Sequence, residues 1–321
     1  MKEVTFISRS KQKWETISTT LQTPNSLNPD QLADMYLEIT NDLAFSTTYY
    51  PHSETTRYLN QLAIKLHRQI YRNQKEKSSR IASLFKTEIP LLFNKNARFI
   101  YISLAVFLLS ALLGCLSVHH DSDFANTILG AEYVQMTIQN IQKGDPMAVY
   151  GKMDEEVMFL LITTNNIFVS FLVFLFGFLT PLGTLWQLFR NGMMVGVFQT
   201  FFFEQNLLHT ATMAIMIHGT LELSAIVLAG SAGIALGKNI FFPGTLPRLE
   251  SFKIAIREGT IMLIGLVPVF VLAGFIESYI TRHYNHMSLT ANILIIVFSF
   301  TFIVGYFIVY PKKIANKITK N

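Results

Sequence analysis

Apolar residues fall into six long runs over the last two thirds of the chain, with polar segments between them. An α-helix needs about 20 residues to cross roughly 30 Å of hydrocarbon, and the first run, Phe99–Val118, has that length. The pattern predicts an all-α, polytopic membrane domain over residues 98–321 with six transmembrane helices, at about 99–118, 157–180, 185–203, 209–237, 260–280 and 288–310. The third run is short and carries Gln187, Arg190 and Asn191. The fourth is longer than a bilayer requires, which predicts that it is tilted or that it starts in the interface.

Composition agrees with this pattern. Half of the residues are hydrophobic and 15% are charged, with a mean hydropathy of +0.35, whereas soluble domains carry about 25% charged residues. The chain has one cysteine, Cys115, which excludes a disulfide framework and a cysteine-based metal site.

The basic residues predict the topology. Of the 26 lysines and arginines, 14 precede the first apolar run. If both termini are cytoplasmic, 23 basic residues lie inside and 3 outside, as the positive-inside rule requires. Because the net charge of +5 is explained by topology, no nucleic-acid partner is expected.

Residues 1–97 are predicted to form a cytoplasmic helical region. Apolar residues recur at helical spacing in two stretches, which are Leu32, Tyr36, Ile39 and Leu43, and then Tyr58, Leu62, Leu66 and Ile70. Tyr50-Pro51 separates them, so a helical hairpin is expected. Such a hairpin is too small to bury a large core alone, and we expect it to lean on the membrane domain or on a second copy of the chain.

Two further segments are amphipathic. Residues 81–95 mix apolar side chains with Arg and Lys, which is typical of an interfacial helix before the first span or of another buried helix. The extracytoplasmic loop 119–156 is acidic and contains a weak helical period over Tyr133–Ile141, which predicts a short helix on the outer membrane surface. This loop also contains His119, His120, Asp121 and Asp123, which could bind a metal. Such a run of polar residues is more often simply part of a solvated loop. No metal or cofactor is expected.

Polar residues inside the predicted spans are the candidate functional site, because such residues are costly in a bilayer. They are Asn165, Asn166, His218, Glu222 and Glu277. His218 and Glu222 are four residues apart and share a helix face. A rise of about 1.5 Å per residue places the two asparagines roughly 12 Å from the outer surface, with Glu222 a turn deeper than the other four. Arg190 and Asn191 form a secondary polar pair.

Four interpretations of the polar set stay open: a structural network between helices, a proton or ion relay, a site for a lipid or cell-wall precursor, and a metal hydrolase. An enzyme is not expected, because the segment from His218 to Glu222 lacks the paired histidines of a zinc-protease helix. No Ser, His and Asp set converges either.

Small residues recur every four positions on two of the spans, and such faces let helix backbones approach closely. The predicted packing positions are Gly192, Gly196, Ala225, Ala229, Gly233 and Gly237.

Several of these segments together resemble the stage II sporulation protein M family, in the form found in members outside sporulation. They are Thr164-Asn165-Asn166, Arg190-Asn191-Gly192, the block from His218 to Ala225, the run from Ala229 to Gly233, and Phe275-Ile276-Glu277. The segments Asn41–Ala44, Tyr49–Pro51 and Tyr58–Asn60 resemble the amino-terminal region of such members.

The resemblance implies a multi-pass protein of a bacterial or archaeal inner membrane. Sporulating members are membrane partners of peptidoglycan-degrading proteins, and other members are encoded near RDD-type membrane proteins and MoxR-type ATPases. The expected function is therefore a scaffold or assembly component of an envelope complex, with membrane lipids, such proteins or cell-wall hydrolases as partners. A homodimer is expected as well. The alternative is a transporter or channel for a proton, an ion or a lipid-linked substrate.

Overall fold

The computed structural model describes residues 3–21, 29–70, 79–148 and 153–318, and within these ranges the regular structure is entirely helical. The chain divides into two compact units, Met1–Arg80 and Ile81–Asn321. The sequence predicts this boundary at residue 97 instead.

The described residues of the first unit include the helices α1 (Glu3–Thr20), α2 (Pro29–Tyr49) and α3 (Glu54–Ile70). The predicted hairpin corresponds to α2 and α3, and α1 was not predicted. α1 completes the core, because Phe6, Trp14 and Ile17 are buried against apolar residues of the other two helices. The indole Nε1 of Trp14 donates to Oδ2 of Asp42 at 2.8 Å, which ties α1 to α2.

The second unit begins within α4 (Ser79–Ser83), which is followed by a π-turn (Leu84–Glu88) and by α5 (Ile89–Lys95). Ile89 and Phe93 are completely buried. Phe93 packs edge-on against Phe307 with ring centroids 4.9 Å apart, and Ile89 fills the space above Gly265. This segment therefore packs on the membrane bundle through its apolar face.

The long helices of the bundle follow: α6 (Ala97–His120), α9 (Glu155–Leu175), α10 (Pro181–Glu204), α11 (Leu208–Phe241), α12 (Arg248–Phe275) and α13 (Leu289–Val304), the last continued by a π-turn and α14 (Tyr310–Ile318). Among the described residues, five helices are long and apolar enough to cross a membrane: Ala97–His120, Glu155–Phe178, Leu208–Phe241, Arg248–Tyr284 and Leu289–Ile318. These five coincide with predicted spans, so the chain is an all-α, multi-pass membrane protein.

The predicted third span, 185–203, is not among these five. It lies within α10, which has 24 residues but contains Gln187, Arg190 and Asn191. α10 nevertheless belongs to the bundle. Its Gly192 lies against Phe107 of α6, and Gly196 lies four residues later against Ala111. Residue numbers rise together along the two helices, so α10 runs parallel to α6, the first candidate span.

Backbone contact at glycines joins the helices around α11. Gly233 lies against Thr184 of α10 and against the carbonyl of Val173 of α9. The Thr184 hydroxyl donates to that carbonyl at 3.0 Å. A side chain at Gly233 would enter this contact, so the small residue is what permits three helices to meet.

The described part of the segment between α6 and α9 is largely helical. α7 (Phe124–Leu129) and α8 (Ala131–Gln142) occupy it, and residues 149–152 lie outside the described ranges. α8 coincides with the predicted short helix. Val134 of α8 is buried, and Tyr133 packs near Phe198 of α10 with ring centroids 6.4 Å apart.

Candidate functional site

The end of α12 departs from regular α-helical geometry at the predicted polar site. Residues Ile276–Ile280 form a π-turn, and Thr281–His286 continue as a 3₁₀-helix. Single π-turns inside helices are frequent at functional sites, because the wider turn redirects the side chains that it carries. Glu277 and Thr281 both come from this irregular stretch.

Three titratable side chains converge beside the π-turn. His218 and Glu222 lie one turn apart on α11, and Glu277 reaches them from the end of α12. One ring nitrogen of His218 and one oxygen of each carboxylate lie within 4.8 Å of one another. The distance from Nε2 of His218 to Oε1 of Glu277 is 3.7 Å. We call these three residues the acid–imidazole cluster.

Hydrogen bonds hold the acid–imidazole cluster from three sides. Nδ1 of His218 lies 3.1 Å from the Thr281 hydroxyl, and the ring also hydrogen-bonds to the backbone of Ala214 one turn earlier. Asn166 of α9 hydrogen-bonds to the Glu222 carboxylate. The network therefore connects α9, α11 and the end of α12.

The acid–imidazole cluster lies deep within the spans. His218 is ten residues from the start of α11 at Leu208, which corresponds to about 15 Å along the helix axis. Asn166 is eleven residues from the start of α9 at Glu155, or about 16 Å. Both helices are candidate membrane spans, so the cluster lies about three helical turns inside the ends at which α9 and α11 begin, within the apolar part of both.

Two buried hydroxyls next to the cluster have no partner within the described ranges: Thr163 and Ser278. Thr163 precedes Asn166 by one turn on α9, and its Oγ1 lies against Gly274, one turn before Glu277. Ser278 follows Glu277 directly and is completely buried. Unpaired buried oxygens are uncommon in native structures and call for an explanation.

An ion pair anchors the 3₁₀-helix to the beginning of α9. Nη1 of Arg282 lies 2.9 Å from Oε1 of Glu155, and Nη2 donates to the Met153 carbonyl at 2.6 Å. Arg282 directly follows Thr281, so this anchor holds the hydroxyl against His218. Arg282 is thus a positioning residue for the cluster.

Other predicted residues lie away from the acid–imidazole cluster. Asn165 is exposed, and its amide donates to Asn166 at 3.4 Å. Arg190 is exposed on α10, and Asn191 donates to the Gln187 carbonyl of its own helix. His119, His120, Asp121 and Asp123 are exposed. The predicted packing residues Gly192, Gly196, Ala225, Ala229, Gly233 and Gly237 are buried between helices.

Sequence reasoning did not select Thr281, Thr163 or Arg282. A signal for Thr281 existed, because it follows Glu277 by four residues, and i,i+4 residues share a helix face. The polar residues from Thr281 to His286 instead indicated that a loop begins after the predicted span 260–280. Thr163 and Arg282 carried no comparable signal, since their contacts depend on which helices are neighbours.

The cluster is suited to binding a proton or a cation. Two carboxylates and an imidazole in an apolar bundle are costly as unpaired charges, so they need protons, paired hydrogen bonds or a metal ion. The same side chains join three helices, as interhelical hydrogen bonds do in membrane proteins. The same arrangement of side chains can therefore both join the helices and bind a proton or a cation.

The comparison with known families agrees with the resemblance noted in the sequence. The family described as Stage II sporulation protein M matches residues 103–282, slightly more than half of the chain. This range contains the acid–imidazole cluster, Asn166, Arg190 and Thr281. Residues 4–72 match a family described as a domain of unknown function, DUF8413. No curated protein and no solved structure matches the chain.

Proposed function

Because this chain belongs to the stage II sporulation protein M family, we propose that it is a membrane-embedded scaffold or assembly component of a cell-envelope complex, without an enzymatic activity of its own. Peptidoglycan remodelling is the setting that we propose for this complex. The observation that carries the proposal is the exposed face of α10.

This α10 face has a charged residue at its centre. Leu182, Trp186, Arg190 and Met194 recur every four residues and are all exposed, with Trp186 at 56%. The guanidinium of Arg190 has no hydrogen bond or ion pair with any described part of the chain. The face thus offers a large apolar area with one unpaired positive charge.

Depth makes that charge significant. Arg190 is nine residues from the start of α10 at Pro181, or about 13 Å along the axis. The neighbouring Gly192 packs against Phe107 and Ser110, which lie near the middle of α6. Charged side chains at such depth usually pair with another residue or face a polar interior, because exposure to hydrocarbon costs several kcal/mol. Arg190 therefore indicates a partner.

The chemistry of the α10 face selects the kind of partner. A carboxylate on a transmembrane helix of another protein would pair with Arg190 in bidentate geometry, while Trp186 and Met194 supply apolar contact. A two-fold dimer through this face would bring two Arg190 side chains together, so like charges disfavour it. If the proposed homodimer forms, it uses another face. RDD-type proteins and the membrane partners of cell-wall hydrolases are candidates from the resemblance.

The α10 face can be tested by photocrosslinking in native membranes. A photoreactive residue at Trp186 or Met194 is expected to capture a membrane partner that the same residue at Phe298, on exposed α13, does not capture. Arg190→Gln is expected to lower the yield at least about tenfold, because truncation of a buried charge pair costs several kcal/mol. Arg190→Lys retains part of the yield, and Arg248→Gln, on an exposed helix start, leaves it unchanged.

Three results would contradict the scaffold proposal: no captured partner, capture that is insensitive to Arg190→Gln, or a captured segment without an intramembrane acid.

Molecular mass in nanodiscs tests the homodimer separately. We also propose the inner membrane with both termini cytoplasmic, which reporter fusions at each end would test.

A second candidate function, transport of a proton or an ion, is supported by the acid–imidazole cluster. Its side chains pair with one another, as in a structural network, but Glu277 keeps 13% of its side chain exposed. In liposomes, Glu222→Gln should abolish flux and leave folded yield unchanged. Absence of flux in the wild-type protein across proton and cation gradients would exclude this function.

A further inference from the structure

We infer that His218, Glu222 and Glu277 form an intramembrane binding site for one divalent transition-metal ion, of the class of zinc, manganese or iron(II). This inference departs from the sequence-based expectation that the chain binds no metal. It rests on the acid–imidazole cluster, so it stands independently of the α10 face and of the proposed scaffold role.

The charges of the cluster favour a cation. Nδ1 of His218 faces Thr281, while Nε2 faces Glu277. When Nδ1 carries the ring proton, Nε2 presents a lone pair to a carboxylate oxygen 3.7 Å away, and both atoms are acceptors. The Glu222 carboxylate adds a further acceptor on the same side. Two carboxylates together carry the charge that one divalent ion neutralises, which removes the cost of burying them.

The distances suit a small ion. Zinc bonds to histidine nitrogen and carboxylate oxygen are about 2.0–2.2 Å long, which places ligand atoms about 3.4 Å apart in a tetrahedral site. The three candidate ligand atoms already lie within 4.8 Å of one another, and one pair is at 3.7 Å. A contraction of at most about 1.4 Å between any two ligand atoms would therefore complete the arrangement. One nitrogen and two oxygens suit zinc, manganese or iron(II) better than soft copper(I), which prefers sulfur.

The outer hydrogen bonds are of the kind that supports a metal ligand. Metal-binding histidines usually donate their second ring nitrogen to an oxygen, which fixes the orientation of the ring. Nδ1 of His218 meets the Thr281 hydroxyl at 3.1 Å, and Asn166 holds Glu222. Both bonds fix the orientation of a side chain that would bind the metal.

A metal site of three protein ligands also needs hydrogen-bond partners for a water that completes the coordination. Thr163 and Ser278 are buried beside the cluster, and their hydroxyls have no partner within the described ranges. A water on the metal would need such acceptors and donors. Glu222 and Glu277 are only partly buried, so neither carboxylate is sealed off by the described side chains. The bound ion would join α11 to the π-turn at the end of α12.

The experiment uses the purified full-length protein in detergent. The protein is stripped with a chelator, incubated with Zn²⁺, Mn²⁺ or Fe²⁺ alone, desalted, and analysed for metal per chain by elemental mass spectrometry. One equivalent of at least one of these ions is expected. Glu222→Gln and Glu277→Gln keep the side-chain shape and remove a charged ligand, so each should weaken affinity at least about 100-fold. His209→Gln, on the exposed beginning of the same helix, is the matched control.

Thermal unfolding gives an independent readout that does not depend on any activity. The bound ion should raise the unfolding midpoint of the wild-type protein and of His209→Gln, but not of the two glutamine variants. If a glutamine variant fails to fold, Glu277→Asp, which keeps the charge, should still bind with intermediate affinity. The inference is overturned if the wild-type protein retains no metal from all three ions. It is also overturned if binding survives in folded Glu277→Gln.

Discussion

Replacing Gly196 by alanine tests the packing of α10 on α6 at its closest contact. A Cβ atom built on Gly196 would overlap the carbonyl oxygen of Ala111 and lie 3.0 Å from its Cα atom. These are backbone atoms of α6, so no side-chain rotation can relieve the overlap. The two helices would have to separate along this interface.

The expected cost follows from two opposing effects. Overpacking of a close interface costs about 1–3 kcal/mol. Alanine is favoured over glycine in a helix by about 0.5–1 kcal/mol, which offsets part of that cost. The central values of the two ranges leave a net loss of about 1 kcal/mol. At about 2–4 °C per kcal/mol for a domain of comparable size, the unfolding midpoint should fall by about 2–4 °C.

The lone cysteine provides the assay. Sγ of Cys115 on α6 donates to the Gly196 carbonyl at 3.4 Å, so the thiol becomes available when the two helices part. A dye that fluoresces on reaction with thiols, followed during a temperature ramp, reports opening at this interface. No other cysteine in the chain contributes to the signal.

Gly305→Ala is the matched control. A Cβ atom at Gly305 would meet no atom within 4 Å, so only the gain in helix propensity remains, and its midpoint should stay unchanged or rise. A midpoint for Gly196→Ala that equals or exceeds that of Gly305→Ala would refute the close-packing argument.

Two further substitutions test single buried hydrogen bonds. Thr281→Val removes the hydroxyl that faces His218 and should lower the unfolding midpoint through a loss of about 1–3 kcal/mol. Thr164→Val, an exposed threonine bonded to its own helix, is the control, and equal midpoints for the two would contradict this. In the first unit, Asp42→Ala leaves the Trp14 indole without its acceptor. Hydrogen exchange in α1 should accelerate roughly 5–30-fold, corresponding to about 1–2 kcal/mol. An exchange rate equal to that of the unsubstituted protein would show that this bond does not hold α1.

The sequence by itself determined the features that local chemistry controls. A run of about 20 apolar residues must cover its backbone polar groups by forming a helix in the bilayer, so five predicted spans coincide with five observed helices. The spacing of His218 and Glu222 on one helix face follows from helical periodicity alone. The family resemblance, which rests on short local motifs, was confirmed by the match over residues 103–282.

Tertiary structure decided which polar side chains meet. Asn165 and Asn166 are the same residue type in the same predicted span, so the sequence does not distinguish them. Adjacent residues on a helix point about 100° apart, and in the structure Asn166 turns inward to Glu222 while Asn165 is exposed. In unit 1, the sequence did not predict α1, whose apolar residues complete the core with α2 and α3.

The meeting of Glu277 with His218, 59 positions earlier in the chain, required α12 to return antiparallel to α11. It also required the π-turn at Ile276–Ile280, which no pattern of residues in the sequence predicts. Arg190 illustrates the same limit, because its exposure depends on which face of α10 the neighbouring helices cover. Periodicity is a property of one helix and can be read from the sequence. Contact between helices depends on the packing of every neighbour, and only the folded bundle determines it.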